Sequence, residues 1–409
     1  MLGWDFPVSI DPQTSVPIFV QIAGAVSGDI RRGRLRPGDV MPGTRTLART
    51  LGVHRNTVIA AYAELVAEGW ITTENGRGTF VAKTLPDPRP RRFTAVPETG
   101  ADSSVAFELG PGIVVARCST SLLVAYNLTG LPDLRLVPTK ALARAWRRSI
   151  ERRSREVLAY GPPEGHPRLR AALAGMLSAT RGLVIDESRL LITRGTQGGF
   201  AVIAHGLLRP GDVVAIEDPG YRRGRQMMSL AGARVVPIPV DAQGLSVDHL
   251  AALAEEQRIR AVLVTPHHQF PTTVTLSAAR RVRLLELARR HRFAVIEDDY
   301  DHEFHYDGRP ILPLASADGG GTVIYVGSLS KTLAPGLRLG YIAAAPEVIA
   351  HLTEYRTLLD TQGDQVLESA VAELVEDGEV QRHVRRMQRI YRARRDAMAA
   401  LLARELGGA

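Results

Sequence analysis

Lysine is scarce in this chain of 409 residues: of 51 basic side chains only Lys83, Lys140 and Lys331 are lysines, and arginine supplies the rest. Chemistry that needs an amine nucleophile therefore has three candidates, because a guanidinium stays protonated in proteins. Cysteine is scarcer still. Cys118 stands alone, which excludes an internal disulfide and a cysteine-based metal site and suits a reducing compartment. It reads as a small buried hydrophobe. No run of about 18 apolar residues occurs, so no membrane-spanning helix is expected. The opening "MLGWDFPVSI" lacks the basic start, apolar centre and small-residue cleavage site of a secretory leader. These absences point to a cytoplasmic protein with no membrane partner, and no residue set reads as a metal site.

What is present bounds the answer further. The length and the 45% apolar content allow two or three domains with a sizeable core. A formal net charge of +8 permits a polyanionic partner, and the placement of that charge carries the information. Between Val40 and Ala63 there is no acidic residue, while Arg45, Arg49, His54 and Arg55 fall inside that window.

The stretch "VPIFVQIAGAVSGDIRRG" sets Ile18, Ile22, Val26 and Ile30 four apart, the stripe of an amphipathic helix that stops at Gly33. "TRTLARTLG" reads as a short helix capped at Thr44, and "GVHRNTVIAAYAELVAEGW" as a third, with Val58, Tyr62, Leu65 and Val66 on one face. A tight turn at Gly52 joins the two. "WITTENGRGTFVA" alternates, turns at Asn75-Gly76 and returns as a hairpin. Three helices and a hairpin make a winged helix-turn-helix, here over residues 14–83. In that shape the second helix of the turn enters the major groove of double-stranded DNA, its first residues facing base edges or phosphates. Arg55 can then be bidentate to guanine, Asn56 to adenine, and Thr57 can donate to a phosphate. Arg45 and Arg49 lie on the helix that crosses the backbone, and Gly76 and Arg77 form the wing tip. From Pro17 to Val81 the order of elements resembles the DNA-binding domain of the GntR family. The resemblance implies DNA contacts from Arg45, Arg55, Thr57 and Gly76.

Residues 84–105 hold four prolines, little aliphatic content and no periodicity, and read as an extended tether. Beyond it, over 106–409, "RLLIT", "DVVAIE", "ARVVPIPV", "AVLVTP", "FAVIEDD" and "TVIYVGS" are short buried-strand candidates alternating with helix-length segments such as 277–291. That pattern predicts an α/β unit with a mainly parallel sheet, helices on both faces, and ligands beyond the carboxyl ends of its strands.

The conspicuous polar groups sit at those ends. Pyridoxal phosphate needs a lysine for an imine, a carboxylate for the ring nitrogen, a donor for the phenolate oxygen, an aromatic ring to stack on, and a phosphate cradle. Lys331, in "GSLSK" at the end of a strand, is the candidate Schiff-base lysine. Asp298 would pair with the pyridine nitrogen, Tyr300 would donate to the phenolate oxygen, and Tyr221 would stack. Ser328, Arg338, Thr196 and Gln197 would grip the phosphate, and His268 and Gln269 stand at a neighbouring strand end.

The segments "YGPPEGHPRLRAAL", "TRGTQGGF", "EDPGY", "TPHHQFPT", "IEDDYDHEF" and "SLSKTLAPGLRLGY" occur in the order of a fold-type I aminotransferase, which residues 158–345 resemble. Joined behind a GntR-type winged helix, this is the arrangement of the MocR family of bacterial regulators. The resemblance implies a homodimer, often head-to-tail, in which Tyr160 reaches the neighbour's cofactor phosphate. Two departures stand out. Thr273 occupies a position where the family usually has glycine, so a tighter or shifted loop is expected. The chain also ends after an arginine-rich helix, where the family continues into a small domain carrying the arginine for a substrate carboxylate. An aminotransferase-like unit incomplete at its C-terminus is therefore expected, with Arg223 as the remaining candidate for an effector carboxylate. The reading that follows is a DNA-binding transcriptional regulator responsive to pyridoxal phosphate, or to an amino acid or amine reacting with it. The alternatives are a working aminotransferase that carries a DNA-binding domain, and a DNA-binding protein whose larger body is degenerate and empty.

Overall fold

In the computed structural model, which describes residues 10–11, 14, 16–74, 76–86, 130–306, 311–318 and 321–407, the chain divides into two units, Met1–Val115 and Ala116–Ala409. The turn residue Asn75, the tether beyond Pro86, and Cys118 lie outside the described residues.

In the first unit the four-residue stripe forms α1 (Ile18–Arg31), with Ile22, Val26 and Ile30 buried. Helix α2 (Thr44–Leu51) stops at Gly52, whose φ of +64° is the left-handed turn that glycine adopts without penalty. Helix α3 (Arg55–Ala67) starts on His54, whose ring accepts from the Asn56 amide. Its buried face is Val58, Ala61, Tyr62 and Leu65. Val66, expected on that face, is instead 44% exposed. The helix turns 100° per residue and the Tyr62 hydroxyl is tied to the Pro42 carbonyl at 2.8 Å, so the inward direction centres on 58–61–65 and residue 66 falls at the rim. The wing is β1 (Ile71–Glu74) antiparallel to β2 (Gly78–Val81), Ile71 opposite Val81. Trp70, Ile71 and Val81 complete the core formed by the helices.

The second unit carries an eight-stranded sheet: β3 (Leu190–Thr193), β4 (Val213–Asp218), β5 (Arg234–Asp241), β6 (Gly244–Leu245), β7 (Ile259–Val264), β8 (Ala294–Asp299), β9 (Val323–Ser328) and β10 (Gly340–Ala343), in spatial order 3-10-9-8-7-4-5-6. All six apolar runs are strands, and the β5–β4–β7–β8–β9 stretch is parallel throughout. Strand β10 was not expected. It runs antiparallel to both β3 and β9 and begins inside the quoted "SLSKTLAPGLRLGY". Four residues beginning with glycine give too short a period to stand out.

Both sheet faces are covered. Val214, Ile216, Leu263 and Ile296 point into one apolar cluster, together with Phe200, Met228 and Leu352 from helices. Val213, Ala215, Val262, Val264 and Val295 point into the opposite one, with Leu250 and Leu284. The two-residue side-chain period of a strand produces this division. Burying each such Leu, Ile or Val contributes roughly 1.5–3 kcal/mol, which fixes the register and hence what projects at the carboxyl edge. Helices α4 (Thr139–Val157) and α5 (Pro167–Arg181) precede β3, α6 (Gly195–Leu207) follows it, and α7 (Arg222–Leu230) follows β4. The chain's last described helix runs from Glu379 to Leu406.

Candidate functional site

Strand β9 delivers its polypeptide to the carboxyl edge at Ser328, and Lys331 stands three residues on. Its ammonium donates to the Gly130 carbonyl at 2.5 Å. Burial lowers its pKa from the usual lysine value, against the opposing pull of the Asp301 and Asp298 carboxylates. A lysine so placed is closer to its neutral, nucleophilic form than one on the surface.

Asp298 projects from the end of β8 and is buried. Burial, reinforced by Asp299, Asp301 and Glu217, drives its pKa well above the carboxylate range, with Lys331 opposing. Its Oδ1 has no hydrogen-bond partner among the described residues. A buried acceptor without a donor costs about 1–3 kcal/mol. A protonated ring nitrogen against that oxygen would supply both the missing donor and a positive charge that draws the carboxyl back to its ionised form, so this acceptor fits pyridoxal phosphate at its most demanding point.

The aromatic wall is built by three rings. Tyr221, at the N-terminus of α7, receives the Gln197 amide on its hydroxyl at 3.0 Å and meets Phe270 edge-on at 5.6 Å. Phe270 in turn meets Tyr300 edge-on at 6.3 Å. Burial raises the pKa of Tyr221 and of Tyr300, keeping both phenols protonated as donors. Arg223 and Arg338 both pull the Tyr221 value down, which puts their charges within electrostatic reach of the ring.

The phosphate candidates converge on the start of α6. Gly195 opens the helix at φ +66°, and a Cβ there would lie 2.9 Å from Arg338 Nη2. Glycine is thus what lets the guanidinium close over the helix N-terminus, where unsatisfied N–H groups and the helix dipole favour an anion. Arg338 holds this position by donating to the Arg194 carbonyl at 3.0 Å. Thr196 is half-buried in the same turn. Ser328 is buried and its hydroxyl accepts from the Ser330 amide at 3.0 Å.

Other expected residues are placed differently. Gln269 is buried, its Nε2 donating to the carbonyls of Pro219 at 2.8 Å and Phe270 at 2.7 Å, while its Oε1 accepts from Thr272. Those bonds make it a strut of the β7 exit loop. Thr273 closes that loop at φ +62°, the left-handed conformation a glycine would adopt freely. The substitution therefore leaves the turn intact and strains the residue. His268 sits 3.0 Å from both oxygens of Asp301. Tyr160 is 89% exposed on the connection between α4 and α5, and Arg223 is exposed on the first turn of α7. Sequence reasoning missed Gly130, Phe270 and Asp301. The phenylalanine and the aspartate lay inside the quoted "HHQFPT" and "DDYDHEF", but their neighbours held the obvious roles.

In the first unit Arg45 and Arg49 are exposed on α2, and Arg55 and Asn56 are exposed at the start of α3. Thr57 is half-buried. Arg55 Nε lies 3.4 Å from the Thr44 hydroxyl, which leans it toward α2. At the wing tip Gly76 has φ +76°, and Arg77 pairs with Glu74 at 2.8 Å.

Comparison with known proteins bears on both units. Residues 19–81 match the model of the bacterial regulatory proteins of the gntR family, and residues 130–408 match aminotransferase class I and II. The chain belongs to the MocR family of GntR-type helix-turn-helix regulators fused to a fold-type I aminotransferase-like domain. It is 33% identical to the probable rhizopine catabolism regulatory protein MocR of Rhizobium meliloti, covering 97% of this chain and 79% of that protein. It is 36% identical to the HTH-type transcriptional regulator TauR of Rhodobacter capsulatus, covering 91% and 77% respectively. Among solved structures, the α-aminoadipate aminotransferase LysN of Thermus thermophilus, complexed with N-(5'-phosphopyridoxyl)-L-leucine, superposes with a TM-score of 0.63 at 29% identity over 71% of this chain and 75% of that one. Among the described residues of this MocR-family chain no helix is long and apolar enough to cross a membrane.

Proposed function

We propose that this protein is a transcriptional regulator that holds pyridoxal phosphate on Lys331 and reads that cofactor, or an amino compound reacting with it, out as a change in DNA affinity. The observation that carries the cofactor reading is the buried, donorless Oδ1 of Asp298 beside a lysine of lowered pKa. Pyridoxal phosphate, when bound, supplies an aldehyde that condenses reversibly with amines and a ring that withdraws electrons. The chain's own groups would hold it: Lys331 offers the amine, Asp298 keeps a proton on the ring nitrogen, and Tyr300 donates to the phenolate oxygen. Tyr221, its hydroxyl fixed by Gln197, would stack on the ring, and the first turn of α6 with Thr196, Ser328 and Arg338 would hold the phosphate.

The DNA reading is supported by the exposure of Arg45, Arg49, Arg55 and Asn56 on α2 and the start of α3, within a stretch, Val40 to Ala63, that has no acidic residue. In a homodimer two such edges would meet two operator half-sites, and Tyr160 would extend toward the partner's phosphate site. Ligand control requires different affinities for two arrangements of that dimer. The test is an electrophoretic mobility shift on DNA from upstream of the protein's own gene, with no addition, with pyridoxal phosphate, and with pyridoxal phosphate plus an amino acid mixture. A shift in apparent Kd between these arms is expected. Identical Kd values, together with amino transfer from the same mixture, would favour a working aminotransferase instead.

A further inference from the structure

Four histidines gather where the β7 and β8 loops meet, beside the lysine pocket and outside the roles described for it. His267 and His268 leave β7; His302 and His305 follow β8. The ring centroids of His267 lie 4.4 Å from His268, 4.9 Å from His302 and 5.2 Å from His305. Three of them, His267, His268 and His305, each offer a ring nitrogen within 4.8 Å of the other two.

The feature that makes this more than a crowded loop is His267. It is 4% exposed, and neither its Nδ1 nor its Nε2 has a hydrogen-bond partner among the described residues. Two orphaned nitrogens on one buried ring are costly, and buried polar atoms in native proteins are nearly always paired. His305 Nε2 is likewise buried and unpartnered.

One edge of the cluster already has the spacing of a cation site, and the third nitrogen, within 4.8 Å, would draw in on binding. His268 Nε2 and His305 Nδ1 are 3.3 Å apart. With metal–nitrogen bonds of about 2.0–2.1 Å, the edge of a tetrahedral site is about 3.3 Å. The opposite side of His268 is fixed by the Asp301 carboxylate at 3.0 Å, the carboxylate–imidazole arrangement that orients a metal-bound histidine and raises its basicity. The loop around the cluster is anchored from behind, where His302 Nδ1 lies 3.0 Å from Asp299 and Asp299 accepts from the Tyr325 hydroxyl at 2.6 Å. An all-imidazole set with no thiolate favours zinc, nickel or copper over magnesium or calcium.

We propose that His267, His268 and His305 form a binding site for a divalent transition metal of the zinc class, with Asp301 as its outer-shell carboxylate and a fourth position for solvent or an exogenous ligand. The site stands independently of whether pyridoxal phosphate is bound, although Asp301 also acts on Lys331 and so lies between the two.

The test uses the full chain without an affinity tag, stripped with chelator and titrated with zinc chloride against a chromophoric zinc indicator, alongside cobalt(II) absorption spectroscopy. One equivalent of zinc per chain and the visible bands of tetrahedral cobalt are expected. His305→Ala, on the half-exposed side of the cluster, should lose that equivalent while keeping the wild-type melting profile of the metal-free protein. Asp301→Asn should retain the site with about 10- to 100-fold weaker affinity. Because His267→Ala removes a core ring, it serves only as a second variant that should also lose the cobalt bands. Zinc stoichiometry unchanged in His305→Ala, or no stoichiometric zinc in the wild type, would overturn the assignment.

Discussion

Replacing Gly195 by alanine isolates the phosphate grip from the rest of the pocket. The added Cβ would lie 2.9 Å from Nη2 and 3.1 Å from Cζ of Arg338, too close for either to stay. The guanidinium is the end of a flexible side chain, so it moves, giving up its bond to the Arg194 carbonyl and its place above the first turn of α6. Holding alanine at φ +66° adds about 1–2 kcal/mol of backbone strain. The binding loss is that of one hydrogen bond to a charged group, about 1.5–3 kcal/mol, or about 10- to 150-fold in Kd. Absorbance titration of the variant with pyridoxal phosphate should show that loss. Titration with pyridoxal, which lacks the phosphate, should show almost none. Equal losses for the two ligands, or an unchanged Kd for pyridoxal phosphate, would refute the placement of the phosphate at this helix.

Three further outcomes follow from the same structure. Arg55→Ala should weaken binding to the operator by about 1–3 kcal/mol if its guanidinium reads a guanine. Competition with random-sequence DNA should then show the loss confined to the specific site, whereas a uniform loss would make Arg55 a phosphate contact. Thr273→Gly should raise the melting temperature of the larger unit: about 1–2 kcal/mol of strain at φ +62° is released against roughly 0.5–1 kcal/mol of added chain entropy. A lower melting temperature would mean that the threonine side chain itself holds the loop. Glu217, buried and accepting from the Thr265 hydroxyl at 2.6 Å, has its pKa raised by burial from 4.5 to about 7. A carboxyl whose folded value is raised keeps its full stability below the unfolded value and loses it as pH climbs toward the folded one. Between pH 5 and pH 8 the wild type should therefore lose about 2–3 kcal/mol relative to Glu217→Gln, read from urea midpoints of both proteins. Parallel pH profiles would contradict the shift.

The regular elements were legible because their periods were. A four-residue stripe gave α1, and six β-branched runs gave six strands whose alternate residues divide between the two sheet faces. What escaped was whatever the local period does not encode. Strand β10 is short, begins with glycine and pairs antiparallel on both sides, so only its tertiary partners define it. Val66 turned outward because the hydroxyl tether of Tyr62 sets the direction of α3. In the pocket, the residue types needed for an imine, a ring nitrogen and a phosphate could be recognised at strand ends. The backbone contact from Gly130, the edge-on packing of Phe270 and the orphaned nitrogens of His267 could not. Each depends on chain segments distant in sequence meeting at one sheet edge.

The claim on which the rest depends is that Lys331, out of three lysines, is the amine that holds pyridoxal phosphate. Incubation with the cofactor, reduction with borohydride and peptide mass spectrometry test it most directly. A stoichiometric pyridoxyl group on the peptide containing Lys331, absent from Lys331→Ala, is the predicted result. Adducts spread over Lys83 and Lys140, or no adduct on the Lys331 peptide, would contradict the account.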